Sequence, residues 1–183
     1  VLPLRHADAG FVSGRWFLRA EHCFLLPGDS AMGYRLPLDS QPWVRATDYP
    51  WLYPVDPAQP RSPLPAYTEW RHQYASLHEA PAPTGTRPAP ADITRTALCA
   101  EPREGRLYLF MPPLQQLEHY LALVSAIEAT AAELRVPVIL EGYEPPADPR
   151  LAQFRVTPDP GVIEVNIHPS ASWDELVERT QFR

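Results

Sequence analysis

A short row of polar residues near the C-terminal end is the strongest chemical signal in the sequence. Glu164, Asn166 and His168 are separated by single apolar residues and follow a turn at Pro158–Gly161. In a β-strand, residues two positions apart share a face and lie roughly 6–7 Å apart, because the rise is about 3.3 Å per residue. A carboxylate, an amide and an imidazole in a row suit a hard cation and a polar substrate. By spacing alone, a solvated face of an antiparallel sheet is an equally good interpretation.

Two further carboxylates stand at the ends of predicted strands, Glu101 and Glu141. If their strands are neighbours of the one that holds Glu164, the three carboxylates converge on one face of a sheet. Two or three carboxylates with an imidazole can hold Mg²⁺, which prefers oxygen ligands and bridges substrate phosphates. Taken singly, Glu101 and Glu141 are more often surface carboxylates at a strand end.

The elements that must position these residues are predicted over residues 93–183. In chain order they are strands at Thr96–Glu101 and Arg106–Met111, a helix at Leu114–Arg135, strands at Val138–Glu141, Phe154–Thr157 and Val162–His168, and a helix from Trp173. Ser172 and Glu175 form a capping box for the last helix. In the last strand, the face opposite the polar row is expected to be a core face: Ile163, Val165 and Ile167. The β-β-α-β-β-β-α order predicts an α+β fold, a mainly antiparallel sheet with helices on one face and the other face open for a ligand.

The 24 prolines are unevenly placed and divide the chain into three regions. Residues 1–44 contain a predicted β-hairpin, with strands at Arg15–Arg19 and His22–Leu26. Residues 45–92 are a proline-rich segment and linker, with a short helix predicted at Glu69–Glu79 and a mobile part at Ala80–Asp92. A proline segment with aromatic residues can bind a partner as a polyproline helix, although it more often packs on its own domain. Residues 93–183 form the α+β domain.

Composition argues against several classes of function. The 183 residues carry a net charge of −6 with no basic run, which argues against nucleic acid and anionic membranes as partners. No apolar run approaches the roughly 20 residues of a membrane span, and there is no signal-peptide pattern. Cys23 and Cys99 are far apart, so we expect neither a zinc ribbon nor a disulfide framework, and a cytoplasmic location. Because the chain begins with Val1, we expect it to be part of a longer protein.

Several segments together resemble the bacterial amidoligase family. They are Pro27–Ser30, Arg35–Trp43, Glu104–Pro113, Glu141–Pro146, Asp148–Leu151, Thr157–Pro169 and Ala171–Val177. The run Pro158–Asn166 is the most specific of them. Domains of this family usually form the C-terminal part of large two-part proteins with a transglutaminase-like half. The family is similar to glutamine synthetase and glutamate–cysteine ligase, which activate a carboxylate with ATP and join it to an amine.

The resemblance implies an incomplete glutamine-synthetase-like ligase domain that uses ATP and Mg²⁺. An acyl phosphate must form, so γ-phosphoryl transfer needs Mg²⁺ and positive groups near the developing charge. The implied metal ligands are Glu164 and Glu141, with Glu101 a weaker candidate. The implied catalytic residues are Asn166 and His168, which would orient phosphate or substrate, and Arg103 or Arg155, which would neutralise charge. A structural histidine that caps the next loop is an equally good interpretation of His168.

The chain departs from the family after its last helix. Family members continue into a glycine-rich Gly-Gly-Gly-Asn-His loop and further strands, so we expect half a site and no ligase activity from this chain alone. The expected partners are small-molecule or peptide carboxylate and amine substrates and the rest of the parent polypeptide.

Two other functions stay open for the same residues. One is a non-catalytic peptide-binding or scaffold module that uses the polar strand face, and the other is a metal-dependent hydrolase. Nucleophile chemistry has little support, because Ser30 lacks the nucleophile-elbow pattern and neither cysteine has a nearby histidine signature.

Overall fold

The fold is α+β, as the element order predicts. The computed structural model describes residues 1–7, 10–24, 26–28, 33–34, 36–45, 56, 59–73, 93–167 and 169–181. These residues form two compact units, Val1–Ala147 and Asp148–Arg183. The first unit contains a five-stranded sheet and the second a separate two-stranded sheet. No helix within the described ranges is long and apolar enough to cross a membrane.

The sheet of the first unit is antiparallel except at one edge. Its strands are β1 (Leu2–Ala7), β2 (Gly10–Ser13), β3 (Ala97–Arg103), β4 (Arg106–Met111) and β5 (Val138–Gly142), in the spatial order β2-β1-β3-β4-β5. Only β4 and β5 run parallel among these pairs. A parallel pair needs a crossover connection, which here is the helix α2 (Leu117–Leu134).

One face of this sheet is buried under α2. Alternation along β4 places Leu107, Leu109 and Met111 on the same face, and these residues belong to a core that includes Ala122 and Leu123 of α2. Apolar residues of β1 and β2 and Trp70 of α1 (Tyr67–Gln73) complete this core. Helix α2 therefore covers one face only. On the opposite face, Cys99 of β3 is also buried, whereas Glu101 and Arg103 further along the strand are partly exposed.

Helix α2 begins three residues later than predicted and ends at Leu134. Gln116 has an extended backbone and is the N-cap, so the preceding Pro112 and Pro113 stay outside the helix. At the other end Arg135 adopts a left-handed conformation with φ 55°. Its N–H contacts the carbonyls of Ala131 and Ala132, and Pro137 then prevents the helix from continuing.

The predicted hairpin at Arg15–Arg19 and His22–Leu26 is wrong, because none of its described residues lies in a strand. Their backbone donors find other partners. The Arg19 N–H donates to the Ser40 carbonyl at 2.9 Å, and the Phe24 N–H donates to the Ser40 hydroxyl at 3.0 Å. Ser40 lies in a short 3₁₀ helix, Leu38–Ser40. The hairpin of this region is formed instead by β1 and β2, whose sequence signal is weakened by Pro3.

The proline-rich region is described only in part. Helix α1 covers the first residues of the helix predicted at Glu69–Glu79, and the rest of that prediction lies outside the described residues, as does Ala80–Asp92. The division of the chain at residues 44 and 92 therefore stays a prediction. Contacts divide the chain at a different place, between Ala147 and Asp148.

The second unit consists of a hairpin and a helix: β6 (Arg155–Asp159), β7 (Val162–Asn166) and α3 (Trp173–Gln181). The turn between the strands includes Gly161, whose φ of +86° favours glycine. Ser172 caps α3 as predicted, because its hydroxyl accepts the Glu175 N–H at 3.2 Å. The predicted core face of β7 is wrong. Its side chains are exposed: Ile163 at 78%, Val165 at 44% and Ile167 at 37%.

Candidate functional site

The face of the five-stranded sheet opposite α2 brings together three of the predicted site residues. Glu101 and Arg103 are two positions apart on β3 and share this face. The register then extends it, because Glu101 lies opposite Tyr108 on β4 and Phe110 of β4 lies opposite Glu141 on β5. The face is therefore built by strand alternation and register, and the packing of α2 on the other side fixes it.

Arg103 is the centre of this group. Its Nη2 lies 2.5 Å from Glu141 Oε2, and its Nε lies 3.4 Å from Glu101 Oε2. The guanidinium carbon is 3.7 Å from the centre of the Tyr108 ring, which is the distance of a cation–π contact. We call Glu101, Arg103, Tyr108 and Glu141 the Arg103 cluster.

The charged side chains of the Arg103 cluster are only partly exposed, at 29–32%. Arginine stays charged at any physiological pH and has a rigid planar fork of donors. Two carboxylates and an aromatic face leave that fork little freedom. The cluster consequently holds the guanidinium in place on the face opposite α2, with a formal charge of −1 for the whole group.

The metal-ligand role of Glu101 and Glu141 stays a prediction. Both carboxylates already face a cation, since Arg103 contacts each of them. Within the described ranges there is no group of three or more His, Cys, Asp or Glu side chains arranged to hold a metal ion. Mg²⁺ often uses only one or two protein carboxylates and completes its shell with water and phosphate oxygens, so these two residues fit such an ion if Arg103 releases them.

Gly142 positions Glu141 and was not singled out from the sequence. It has a φ of +90°, and a Cβ built on it would lie 2.8 Å from both the N and the O of Met111. Only glycine fits such a close approach of two backbones. The Tyr143 N–H then donates to the Met111 carbonyl at 3.2 Å. These two features stabilise the parallel pairing of β4 and β5 beside Glu141. The sequence signal that could have identified Gly142 is a Glu–Gly pair at a strand end.

A buried polar network anchors the start of β3, and sequence reasoning missed it too. Gln41 is 2% exposed. Its Nε2 donates to the Thr94 carbonyl at 2.9 Å, and its Oε1 accepts from Arg95 Nη1 at 3.2 Å. Arg95 Nη2 also donates to the Pro42 carbonyl at 2.7 Å. Gln41 therefore fixes residues 38–43 beside the strand that carries Glu101 and Arg103.

The polar row of β7 lies in the second unit. Asn166 Nδ2 donates to Glu164 Oε1 at 2.8 Å, so the two side chains share a face as predicted. The register places Arg155 opposite Asn166, and Thr157 opposite Glu164. All four residues are exposed. A cavity of about 210 Å³ adjoins the row and is lined by Gln153, Arg155, Asn166, Ile167 and Pro169.

The three carboxylates do not lie on neighbouring strands, which corrects that expectation. Strands β3 and β5, which carry Glu101 and Glu141, flank β4. Among the described strands, β7 pairs with β6 in a separate sheet. The reason is local, because a short turn at Pro160 and Gly161 lets β7 fold directly back on β6. His168 lies outside the described residues, so its predicted role stays a prediction.

The comparisons with known proteins give one match. The model of a family described as "Putative amidoligase enzyme (DUF2126)" matches residues 1–182. No curated protein and no solved structure matches the chain significantly. The family match covers the segments on which the resemblance rests. The relation to glutamine synthetase and the association with a transglutaminase-like half stay predictions.

Proposed function

The chain belongs to this amidoligase family, and we propose that it takes part in ATP- and Mg²⁺-dependent formation of an amide bond between a carboxylate and an amine. The observation that carries the proposal is the family match over residues 1–182. The chemistry of the residues on the two polar faces supports it.

The Arg103 cluster fits the phosphoryl-transfer half of such a reaction. A carboxylate becomes reactive towards an amine when it takes the γ-phosphoryl group of ATP, and negative charge then spreads over the transferred oxygens. A fixed cation stabilises that charge best, because it needs no reorganisation during the reaction. Arg103 is a cation held in place by Glu101 and Glu141. Because the whole cluster has a formal charge of −1, Mg²⁺ would have to supply the remaining positive charge. In this proposal, the two glutamates position Arg103.

The polar row of the second unit fits Mg²⁺ and substrate binding. The Asn166 amide nitrogen donates to Glu164 Oε1. The amide oxygen of Asn166 and the second carboxylate oxygen of Glu164 then remain as ligands, and both are the hard oxygen donors that Mg²⁺ prefers. The Arg155 guanidinium beside them suits a phosphate or carboxylate group. His168 follows in sequence and is proposed to orient the substrate. When bound, Mg²⁺ would supply charge neutralisation for the phosphate oxygens.

Calorimetric titration of the chain with a non-hydrolysable ATP analogue tests the proposal. We expect binding in the presence of Mg²⁺ and its loss when EDTA removes the metal. The Glu164→Gln variant keeps the side-chain volume but not the charge, and should lose the Mg²⁺-dependent part of the binding. Glu178→Gln, an exposed glutamate on α3, is the matched control and should bind like the unmodified chain.

Each outcome of the titration is informative. No nucleotide binding by the unmodified chain at any Mg²⁺ concentration would contradict the proposed function of this chain. Equal binding by Glu164→Gln and Glu178→Gln would keep the function and remove Glu164 from the metal site.

A further inference from the structure

The hairpin of the second unit has an apolar face with exposed side chains. This face consists of alternating residues on both strands: Phe154, Val156 and Pro158 on the β6 side, and Ile163, Val165 and Ile167 on the β7 side. Apart from Pro158, their exposure ranges from 37% at Ile167 to 78% at Ile163, and Phe154, Val156 and Val165 lie between these values. Helix α3 contains no buried residue. A two-stranded hairpin is marginally stable by itself in water and gains stability from further strands.

The two outer edges of this hairpin differ. Pro158 has no N–H, so it cannot exchange backbone hydrogen bonds with Ile163, the residue opposite it. The nitrogen of Pro158 therefore lies on the outer edge of β6. That edge therefore lacks a donor, which is a common way to prevent strand addition. On β7 the same alternation turns the N–H and C=O groups of Ile163, Val165 and Ile167 outward. No proline and no lysine interrupts this edge, so it is the edge that can accept a strand.

The sequence of β7 is complementary to itself in one antiparallel register. If Val165 lies opposite Val165 of a second copy, Ile163 lies opposite Ile167 of that copy, and Glu164 lies opposite Asn166. Apolar side chains then lie opposite apolar side chains in the Val165 pair and in the two Ile163–Ile167 pairs. Each Glu164 carboxylate lies opposite an Asn166 amide that can donate a hydrogen bond to it.

The neighbouring registers are worse. Pairing centred on Glu164 would place two carboxylates directly opposite each other, and like charges in that position destabilise a sheet. Pairing centred on Asn166 would place Ile163 opposite Pro169, which has no N–H to donate. A shift by a single residue of one strand would bring Glu164 onto the apolar face.

We propose that two copies of this chain associate through β7, antiparallel and centred on Val165, to form a four-stranded sheet. The proposal does not rest on the ligase activity. The association stops at two copies, because the remaining outer edges are those of β6, which Pro158 blocks. Glu164 and Asn166 of the two copies then form one continuous polar row across the two-fold axis.

Sedimentation equilibrium of the 183-residue chain over a range of concentrations tests this association. We expect a reversible monomer–dimer equilibrium without larger species. Val165→Lys places a charge at the centre of the contact and should make the chain monomeric. Val156→Lys is the matched control, because Val156 lies directly opposite Val165 in the hairpin but away from the β7 edge, and it should still dimerise. Circular dichroism checks that both variants stay folded.

A pair of substitutions at the exposed Asn166 tests the register without altering a core residue. Asn166→Lys would create two Glu–Lys pairs across the axis and should lower the dimer dissociation constant several-fold. Asn166→Glu would create two Glu–Glu pairs and should raise it several-fold.

A monomeric chain at every concentration would overturn the proposal. Species larger than dimers would also overturn it. Dissociation by both Val165→Lys and Val156→Lys would indicate face-to-face packing in place of edge pairing. Equal dissociation constants for Asn166→Lys and Asn166→Glu would exclude the register.

Discussion

The Arg103 cluster and the β7 polar row follow the same sequence rule and end in different environments. Each contains polar residues two positions apart on a strand, which therefore share a face. In β7 the apolar Val165 lies between them, and in the Arg103 cluster the apolar residues lie on the neighbouring strand β4. In the first unit the opposite face is packed under α2, and the cluster side chains are about 30% exposed. In the second unit every described residue of β7 is exposed. Alternation therefore determines which residues share a face, but not whether that face is held rigidly.

This difference separates two kinds of contribution to a site. A guanidinium on a packed sheet keeps its position, so it can stabilise charge without reorganisation. The exposed pair of Glu164 and Asn166 is joined by one hydrogen bond, and a bound metal, nucleotide or second strand would restrict it further. The first unit should therefore respond to substitution mainly through stability, and the second mainly through binding.

The largest effect on stability is expected at Gly142. The Gly142→Ala variant forces a left-handed conformation on alanine and places its Cβ 2.8 Å from the Met111 backbone. Strain and overlap together should lower the free energy of unfolding by roughly 3 kcal/mol, measured by urea denaturation. Gly105→Ala is the control, because Gly105 also has a positive φ of +76° but no atom near its missing Cβ. Equal losses for the two variants would show that the close approach to Met111 is unimportant.

A second large effect is expected at Gln41, which anchors the start of β3. Gln41→Ala removes the partner of the Thr94 carbonyl and one partner of Arg95. Buried polar groups left without a partner cost about 1–3 kcal/mol, and the same denaturation experiment should show a loss of about 2 kcal/mol. Gln59→Ala, at an exposed glutamine, should change stability little. If Gln41→Ala behaves like the control, the network does not hold β3.

Much of the fold could be predicted because it depends on local periodicity. The apolar stripe at intervals of three and four residues predicts α2, and the order of elements after residue 93 is the predicted one. The same logic correctly predicts that a helix packs on one face of the sheet. The place of Arg103 beside Glu101 was not predicted, because the strand was expected to end at Glu101 and instead extends to Arg103. The prediction of a hairpin at Arg15–Leu26 is wrong because Ser40, 16 residues from Phe24, accepts hydrogen bonds from backbone donors that a hairpin would use. Local patterns do not contain such long-range partners.

The candidate site was less accessible to sequence reasoning for a related reason. Alternation identifies Glu164 and Asn166 as neighbours, and the hydrogen bond between them agrees. It does not identify the strand that pairs with β7, so the convergence of Glu164 with Glu101 and Glu141 in one sheet was wrong. It also shows that one face of β7 is apolar without showing what covers that face. Tyr108, which stacks on Arg103, becomes part of the cluster only once the β3–β4 register is known.

A smaller effect is expected from conservative replacement of the two arginines. Arg103→Lys keeps the charge but loses the planar fork and its stacking on Tyr108. Because the partners are partly exposed, the free energy of unfolding should fall by no more than about 1 kcal/mol. Arg155→Lys, on the exposed hairpin, should leave stability unchanged within error. A larger loss from Arg155→Lys than from Arg103→Lys would reverse the distinction between the packed and the exposed face.

The smallest effect concerns the pH dependence of the first unit. The rings of His6 on β1 and His119 on α2 are stacked, with centroids 3.3 Å apart. Burial lowers the pKa of the His119 imidazole below its ordinary value of 6.5, and the nearby Glu118 carboxylate only partly opposes this. The unfolded chain therefore binds the proton more readily than the folded one. The stability contributed by neutral His119 is fully present above pH 6.5 and is lost as the pH falls through the lower pKa of the folded state.

Urea denaturation above and below pH 6.5 checks this prediction, with the ordinary histidine pKa as the dividing value. The His119→Gln variant has no imidazole to protonate and should lose less stability on acidification than the unmodified chain. His22→Gln removes an exposed histidine and should keep the full loss. Carboxylates that titrate at lower pH contribute equally to all three proteins, so the difference between variants isolates His119. Identical losses of stability on acidification in all three proteins would mean that the stacked histidines accept a proton without a cost in free energy. This part of the packed unit would then tolerate charge as well as the exposed hairpin does.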